Sequence, residues 1–246
     1  MRRVHLILVV PCYNEEQRLP ADEFRRFSIP GANIEFLFVN DGSVDGTLPL
    51  LQSLGHSVLD LQPNRGKAEA VRQGILAAIE RKPDFVGFWD ADLATPLAEL
   101  PSFLDIFTSK PNIEMVFAAR VRLLGRSISR NPTRHYVGRA GATLISSSLG
   151  LAVYDTQCGA KLFRVTPTLG DIFAKSFLSR WLFDVEIIAR FVNARGRDAA
   201  AKAIYELPIQ VWHDVKGSKV KSTDFFRALR DLWKIHRAYN RGRGKG

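Results

Sequence analysis

The sequence predicts an α/β protein with a mostly parallel sheet and helices on both faces. Three apolar runs, Val4–Val10, Ile34–Val39 and Phe85–Trp89, have the length of strands and are apolar enough to be buried on both faces. An amphipathic helical segment runs from Ala68 to about Glu80. Strands that alternate with helices are typical of a parallel sheet.

The remaining elements have weaker patterns. Two more strands and two more helices are expected over Ser57–Leu61, Glu114–Ala118, Leu97–Phe107 and His135–Leu149. Asn14-Glu15-Glu16 is expected to begin a helix, because acidic residues in a first turn complement the helix dipole. The first apolar run leads into Pro11 without a small-residue cleavage site. We therefore interpret it as the first strand and not as a signal peptide.

Composition and charge narrow the class of protein. The 246 residues, 46% hydrophobic and 24% charged, are typical of one large globular domain with or without an appendage. No stretch of about 18 apolar residues occurs, so no transmembrane helix is predicted. The 2 cysteines, Cys12 and Cys158, make no disulfide framework, which favours the cytoplasm. Residues 225–246 hold seven Lys or Arg against one Asp, a surplus of six within the net +10, and this indicates an anionic partner.

Two carboxylates stand at the end of the strand predicted over Phe85–Trp89. Asp90 and Asp92 are two residues apart, so in extended chain they face the same way. Hard oxygen ligands suit Mg²⁺ or Mn²⁺, and such a cation commonly shares its coordination with substrate phosphates. We therefore expect a metal–diphosphate site. The alternative is that both residues only cap the strand or the following helix.

Polar motifs also follow the other predicted strands. Asp41 with Gly42, and Asn64-Arg65-Gly66-Lys67, stand at the carboxyl ends of strands, where open α/β sheets bind ligands. A lysine at a helix start opposes the helix dipole, which favours a ligand role for Lys67. Asp45 is expected to be a turn or cap residue. The Gly-x-Gly-x-x-Gly and P-loop signatures are absent, which argues against those two nucleotide sites.

Taken in order, these motifs resemble those of the family 2 glycosyltransferases. The resemblance lies in Pro11–Glu15, Val39–Thr47, Asn64–Gly74 and Asp90–Asp92. Within the family the chain resembles the polyprenyl-phosphate sugar synthases, and best the dolichyl-phosphate glucosyltransferase-like branch. That closer likeness is carried by Asp155–Phe163, Trp181–Glu186, Trp212-His213 and Gly217–Val220.

The resemblance implies a GT-A fold over residues 1–212 and a basic amphipathic, membrane-proximal tail over 213–246. It implies a UDP-sugar or GDP-sugar donor bound by Pro11, Tyr13, Asn14, Glu15, Asp41, Lys67, Asp90, Ala91 and Asp92. By the same resemblance, Asp90 and Asp92 hold Mg²⁺ or Mn²⁺, and the catalytic residues are Asp92, Gln157 and Asp184. Ala94 stands where some mannosyl-transferring relatives have a metal-side Gln, and this favours glucose over mannose.

An arginine-rich segment follows the fifth predicted strand. It contains Arg120, Arg122, Arg126, Arg130, Arg134 and Arg139, with no acidic residue between them. Guanidinium groups suit phosphate recognition, although a solvated basic loop would have the same composition. In the resembled synthases an acceptor loop lies here, so Arg120 and Arg134 are expected to bind a lipid phosphate. Asp184 and Glu186 occupy an apolar stretch, where an unpaired buried charge is costly, so each needs a ligand or a basic partner.

The reaction implied is an inverting transfer of a hexose, with glucose favoured, to a polyprenyl or dolichyl phosphate. A phosphate monoester has a second pKa of about 6, so it arrives as an anionic nucleophile and needs no general base. The alternative acceptor is a soluble or glycan hydroxyl, for which Asp184 would serve as base. A third hypothesis, a non-enzymatic basic protein that binds membrane or nucleic acid, predicts that Asp92→Ala has no effect.

The segment Ser222–Tyr239 is expected to form a basic amphipathic helix. Its apolar residues at helical spacing are Phe225, Phe226, Leu229, Leu232 and Trp233, and its basic residues are Arg227, Arg230, Lys234 and Arg237. Such a helix is typical of the membrane interface, with Trp212 and the 216–221 loop adding to the surface. The alternative is packing on its own domain. We expect peripheral contact with the cytoplasmic membrane face, retention through these surfaces or a membrane partner subunit, and no nucleic acid.

Overall fold

A computed structural model describes the fold over residues 3–128, 132–213 and 224–240, and describes side chains there except those of 132–140, 224–226 and 240. The strands are β1 (Val4–Cys12), β2 (Ala32–Asp41), β3 (Ser57–Leu61), β4 (Phe85–Trp89), β5 (Met115–Ala119), β6 (Ser127–Ile128), β7 (Ala160–Arg164), β8 (Ile204–Pro208) and β9 (Val211–Trp212). The helices are α1 (Ala21–Arg26), α2 (Thr47–Ser53), α3 (Lys67–Glu80), α4 (Leu100–Ser109), α5 (Pro132–Leu149), α6 (Pro167–Ala174), α7 (Phe183–Arg195), α8 (Arg197–Ala203) and α9 (Asp224–Asn240).

A mixed, mostly parallel sheet forms the centre of the described chain. Its strand order is β3-β2-β1-β4-β7-β5-β8, and β6 and β9 form a separate small sheet. Strand β1 pairs in parallel with β2 and β4, whereas β7 runs antiparallel between β4 and β5. The predicted fold class is therefore confirmed. The carboxyl ends of β1, β2 and β4 meet at one edge, where ligands bind in open α/β sheets.

Helices bury both faces of this sheet. Residues Leu6–Val10 of β1 are fully buried, as a continuous apolar run requires. One face packs against α3, α6 and α7, and the other against aromatic residues that include Phe24 and Phe103. Helix α3 approaches the sheet closely at Gly74, because a Cβ there would overlap the Val9 side chain. This close contact fixes the start of α3 relative to the strand ends.

The helix predicted to begin at Asn14 is wrong. Asn14 has a left-handed backbone (φ 53°), and the first helix, α1, begins only at Ala21. The Asn14 N–H donates to Ser43 Oγ (3.0 Å), and its Oδ1 accepts from the Val44 N–H (3.0 Å). An asparagine side chain that bonds to nearby backbone competes with helix formation, and here it ties two loops together.

Helix α9 packs on the domain through one of its faces. Ile235 is buried, and Leu232 is partly buried against the core that contains α7. Leu229 and Trp233 are exposed, Trp233 by 58%. The predicted apolar face is therefore divided between the core and solvent. The side chains of Phe225 and Phe226 lie outside the described residues. So do residues 214–223, which contain the 216–221 loop and the start of the predicted tail after His213.

None of the helices in the described ranges combines the length and the hydropathy that a membrane crossing requires.

Candidate active site

A cleft of about 470 Å³ opens at the carboxyl ends of β1, β2 and β4. Ligand pockets generally have volumes of roughly 300–1,000 Å³, so this one can accept a nucleotide-sized molecule. Its lining includes most of the residues selected from the sequence, namely Pro11, Tyr13, Glu15, Asp41, Lys67, Asp90, Ala91, Asp92, Arg120 and Gln157. The predicted convergence of separate motifs on one crevice is thus observed, while the role of each residue stays a prediction.

Three predicted site residues have other positions. Asn14 joins two loops beside the cleft and is not part of its lining. Asp184 is buried in the first turn of α7, also outside the lining. Arg134 belongs to α5, but its side chain is outside the described residues.

Asp41 organises the loop that starts α3. Its carboxylate accepts hydrogen bonds from the N–H groups of Arg65 (2.8 Å) and Gly66 (2.7 Å). The Asn64 side chain donates to the Asp41 carbonyl at 2.8 Å. Gly66 has a φ of 92°, a conformation that glycine adopts without strain. Together these contacts place Lys67, the first residue of α3, in the cleft.

Lys67 and Asp90 form an ion pair inside the cleft. The Lys67 Nζ lies 2.5 Å from Asp90 Oδ1, and the two side chains are 42% and 35% exposed. Desolvation would lower the pKa of Lys67, but the nearby charges, first that of Asp90 and then that of Asp184, raise it above its usual range. The lysine is therefore a cation at neutral pH. It is positioned to exchange its carboxylate partner for an anionic ligand.

Gly159 leaves the space that the Asp90 side chain occupies. A Cβ at Gly159 would overlap the Asp90 carboxylate, and the Asp90 N–H donates to the Gly159 carbonyl at 2.9 Å. The 155–163 motif thus contributes a backbone surface to the carboxylate site. Glycine is required here for close approach, and not for an unusual φ.

Asp92 completes an acidic pair that fits a divalent cation. Burial, followed by the charge of Asp90, raises the pKa of Asp92, and the Ala94 N–H opposes this by donating to Asp92 Oδ1 at 3.1 Å. A bound cation would relieve this repulsion. In the described ranges no group of three or more His, Cys, Asp or Glu side chains is arranged to hold a metal. Mg²⁺ or Mn²⁺ would therefore need the oxygens of a diphosphate and water to complete its shell, as Mg²⁺ commonly does.

Arg120 is already paired within the protein. Its guanidinium donates to both oxygens of Asp155, at 2.6 and 2.8 Å, and both side chains are mostly buried. The Glu206 carboxylate fixes the Asp155 loop by accepting its N–H at 2.8 Å, and the Trp212 ring stacks 5.3 Å from the guanidinium. The charge of Asp155 raises the pKa of Arg120 despite desolvation. Arg120 therefore reaches the cleft as half of a neutralised pair, and its binding of an acceptor phosphate stays a prediction.

Asp184 and Glu186, the two carboxylates of the apolar 181–189 stretch, each pair with a basic side chain. A basic partner is one of the two ways expected to compensate their buried charges. Lys161 Nζ lies 2.6 Å from Asp184 Oδ1, and this buried pair is not part of the cleft lining. Burial raises the pKa of Asp184, and the Lys161 charge opposes that rise. Glu186 pairs with Arg190 at 2.8 Å and also accepts from the Tyr239 hydroxyl of α9 at 2.8 Å.

Sequence reasoning missed several residues of the site. Arg18 lines the cleft and pairs with Glu15 at 2.6 Å, but it occupies a polar turn with no distinguishing pattern. Trp212 was assigned to a membrane surface and instead lines the cleft. The roles of Gly159 and Lys161 depend on contacts between distant segments, although both lie inside a motif that carried the family resemblance.

Comparison with known protein families agrees with this geometry. The profile described as "Glycosyl transferase family 2" matches residues 7–168. The chain belongs to this glycosyltransferase family. It is 32% identical to dolichyl-phosphate beta-glucosyltransferases from Trichomonas vaginalis and Drosophila melanogaster, in each case over 94% of this chain and 73% or 74% of the relative. The corresponding enzyme of Saccharomyces cerevisiae is 29% identical over 96% of this chain and 75% of its own.

Solved structures share the fold. Glucosyl-3-phosphoglycerate synthase from Mycobacterium tuberculosis, in complex with Mn²⁺, UDP and glucosyl-3-phosphoglycerate, superposes with a TM-score of 0.70 at 18% identity. The alignment covers 96% of this chain and 80% of that one. The expected GT-A fold is therefore confirmed, and so is the resemblance to family 2.

Proposed function

We propose that this chain is an inverting, metal-dependent glycosyltransferase that moves glucose from a nucleotide sugar to a polyprenyl or dolichyl phosphate. Three relatives at 29% to 32% identity carry the name dolichyl-phosphate beta-glucosyltransferase. A β-linked product from an α-linked donor requires inversion, and one direct displacement achieves it. UDP-glucose is the first donor to test.

The acceptor class is supported chiefly by how the carboxylates in and around the cleft are paired. Asp90, which pairs with Lys67, and Asp92, which accepts from the Ala94 N–H, are assigned to the metal in this proposal. The other carboxylates each have a cationic or backbone partner; these are Glu15, Asp41, Asp155 and Asp184. A hydroxyl acceptor needs a general base with a free carboxylate or similar group. A lipid phosphate is already anionic, so the paired carboxylates favour it over a hydroxyl.

The donor half of the reaction uses the acidic pair and its neighbouring lysine. Asp90 and Asp92 would hold Mg²⁺ or Mn²⁺, which supplies Lewis-acid stabilisation of the leaving nucleoside diphosphate. Lys67 contributes a second positive charge at the same place, because it is protonated and lines the cleft beside Asp90. With the nucleophile already ionised, alignment and charge stabilisation are the tasks that remain.

A lipid acceptor also requires access to a membrane, and α9 offers a suitable surface. Exposed Leu229 and Trp233 lie on the same helix as Arg227, Arg230, Lys234 and Arg237. Apolar side chains with flanking cations favour the interface of an anionic membrane, as on a cytoplasmic leaflet. We therefore infer peripheral membrane contact through α9, with the cleft reached from the membrane surface.

The test uses the purified protein with polyprenyl phosphate and either UDP-glucose or GDP-mannose, in Mg²⁺ or Mn²⁺. Labelled sugar is extracted into organic solvent, and Asp92→Asn is the matched control. We expect product from UDP-glucose that requires the metal and is lost in the variant. Product from GDP-mannose alone would refute the glucose assignment. Metal-dependent nucleotide binding without any organic-phase product would refute the lipid acceptor.

A further inference from the structure

Arg180 is a cation that packs against Gly66 beside the cleft and has no role in the proposed reaction described above. It lies in the loop between α6 and α7, and its side chain is exposed. The Arg180 Cδ lies 3.4 Å from the position that a Cβ would take at Gly66. Gly66 lines the cleft and immediately precedes Lys67. The Arg180 stem thus packs beside a residue that lines the cleft and adjoins Lys67, while Arg180 itself is not among the lining residues.

Arg180 differs from the cations of the cleft in having no acidic partner. Arg18, Lys67 and Arg120 pair with carboxylates at 2.6, 2.5 and 2.6 Å. Across the described ranges no carboxylate lies within the 4.0 Å ion-pair distance of Arg180. An arginine that is uncompensated beside an anion-binding cleft retains its full charge for a ligand. The charge of Arg120, by contrast, is compensated within the protein by Asp155.

The loop around Arg180 is held in place by buried hydrogen bonds. Ser179 is 1% exposed, and its Oγ accepts from the Leu182 N–H at 2.8 Å. The same hydroxyl donates to Asp231 Oδ2 of α9 at 2.8 Å. One side chain therefore ties the start of α7 to the C-terminal helix, immediately before Arg180. A fixed backbone and a stem packed on Gly66 reduce the entropy lost when the guanidinium binds an anion.

We propose that Arg180 binds a phosphate group of a substrate, a role that rests on the proposed function. The planar guanidinium can donate two parallel hydrogen bonds to phosphate oxygens, which a lysine cannot reproduce. This phosphate belongs either to the diphosphate of the donor nucleotide or to the monophosphate of the lipid acceptor. Both present the same chemistry to Arg180, and binding measurements separate them.

The experiment compares Arg180→Gln, Arg180→Lys and a matched control, Arg81→Ala. Arg180→Gln keeps a stem of similar length against Gly66 and removes the charge. Arg81 is also an exposed arginine, but it follows the far end of α3, about 20 Å from Lys67 at 1.5 Å per residue. Calorimetry measures UDP and GDP binding with Mn²⁺ in one arm, and a short isoprenyl monophosphate in detergent in the other.

We expect Arg180→Gln to weaken binding at least about tenfold in one arm, Arg180→Lys to weaken it less, and Arg81→Ala to leave both arms unchanged. A loss in the nucleotide arm identifies the donor diphosphate, and a loss in the isoprenyl arm identifies the acceptor. Equal affinities of Arg180→Gln and Arg81→Ala in both arms, or no binding of any probe by the wild type, would overturn the proposal.

Measuring both ligand binding and product formation distinguishes a failure of the role proposed for Arg180 from a failure of the proposed function. A wild-type protein that binds the probes through Arg180 but forms no organic-phase product refutes the transfer reaction alone. Normal lipid glucosylation combined with unchanged binding by Arg180→Gln refutes the role of Arg180 alone. Thermal unfolding of each variant shows that a loss of affinity is not a loss of fold.

Discussion

The molecule contains two lysine–aspartate pairs of nearly equal length in different surroundings. Lys67 and Asp90 are 2.5 Å apart in the cleft, with side chains 42% and 35% exposed. Lys161 and Asp184 are 2.6 Å apart below it, with side chains 0% and 8% exposed. Lys161 is further enclosed by the Phe88 ring, 5.1 Å from its Nζ, and donates to the Cys158 carbonyl.

Because of this difference in burial, we expect a ligand to be able to separate Lys67 from Asp90. We expect the loss of either member of the Lys161–Asp184 pair to destabilise the fold. Water and incoming ligands can replace either partner of an exposed pair, which generally contributes only about 0–1 kcal/mol. Removing one member of a buried pair leaves an uncompensated charge and generally costs about 3–5 kcal/mol. Asp184, selected as catalytic by resemblance, is a member of the buried pair with Lys161, and its catalytic role stays a prediction.

The largest expected effect is on the stability of Lys161→Met. This variant leaves Asp184 buried without its cation, so we expect the free energy of unfolding to fall by about 3–5 kcal/mol. The matched variant Lys67→Met removes the same group from the exposed pair and should cost less than about 1 kcal/mol. Urea unfolding followed by circular dichroism measures both. Equal decreases in the free energy of unfolding for the two variants would contradict the proposed difference between the two ion pairs.

The second effect is on activity and concerns the exposed pair. Asp90→Asn keeps the shape of the side chain but removes a charge that the proposed metal would require. We expect the kcat/KM for glucosyl transfer to fall by at least about 10²-fold, because charge stabilisation of the leaving group is lost. Its unfolding midpoint should remain near that of the wild type. An active Asp90→Asn enzyme would remove the metal site from the mechanism.

A third effect tests the close approach of Gly159 to Asp90. Gly159→Ala changes no charge, yet its methyl group must displace the Asp90 carboxylate. We expect the affinity for Mn²⁺ in the presence of UDP to fall by about 10–100-fold, the size typical of misplaced metal ligands. Gly170→Ala is the control, since a Cβ at Gly170 meets nothing within 4 Å. Titration of Mn²⁺ by electron paramagnetic resonance measures both variants, and identical affinities would contradict the placement of Asp90.

The smallest effect is a gain in stability from Asp92→Asn in the absence of metal. The pKa of Asp92 in the folded protein is raised, so the native state holds this proton more tightly than the unfolded chain does. Native stability from this group therefore increases as pH falls through that pKa, and its ionisation costs stability at neutral pH. We expect Asp92→Asn to raise the melting temperature at pH 7 and to lose this gain at acidic pH. A lower melting temperature at pH 7 would contradict the assignment.

The donor side was the more predictable part of the molecule. Strands β2 and β4 are largely continuous apolar runs, with Asp41 at the end of β2 and Asp90 directly after β4. Lys67 follows a short polar turn after the weaker strand β3. Local sequence therefore identified both the parallel sheet and the residues that converge at its edge. The expected helix at Asn14 failed because its side chain bonds to a loop some 30 residues away, a contact that local propensity does not contain.

The interior below the cleft could not be predicted to the same extent. Lys161 lies in a short strand that runs antiparallel between β4 and β5, and its partner Asp184 comes from α7. The pairing depends on the order of strands in the sheet, which periodicity does not specify. Helix α7 is buried on nearly all sides, so it shows little of the amphipathic pattern that marks a surface helix. The sequence predicted only that its carboxylates need partners.

In the proposed reaction, the cleft transfers glucose to a phosphate that is already ionised. The most direct measurement compares a polyprenyl phosphate with the polyprenol of the same length, using UDP-glucose and Mn²⁺. We predict organic-phase glucoside from the phosphate and none above background from the alcohol. Asp90 and Asp92 are assigned to the metal, and the other carboxylates named for the cleft, Glu15, Asp41, Asp155 and Asp184, already have partners. Comparable glucosylation of the alcohol would mean that a general base operates in this cleft, and it would contradict the account.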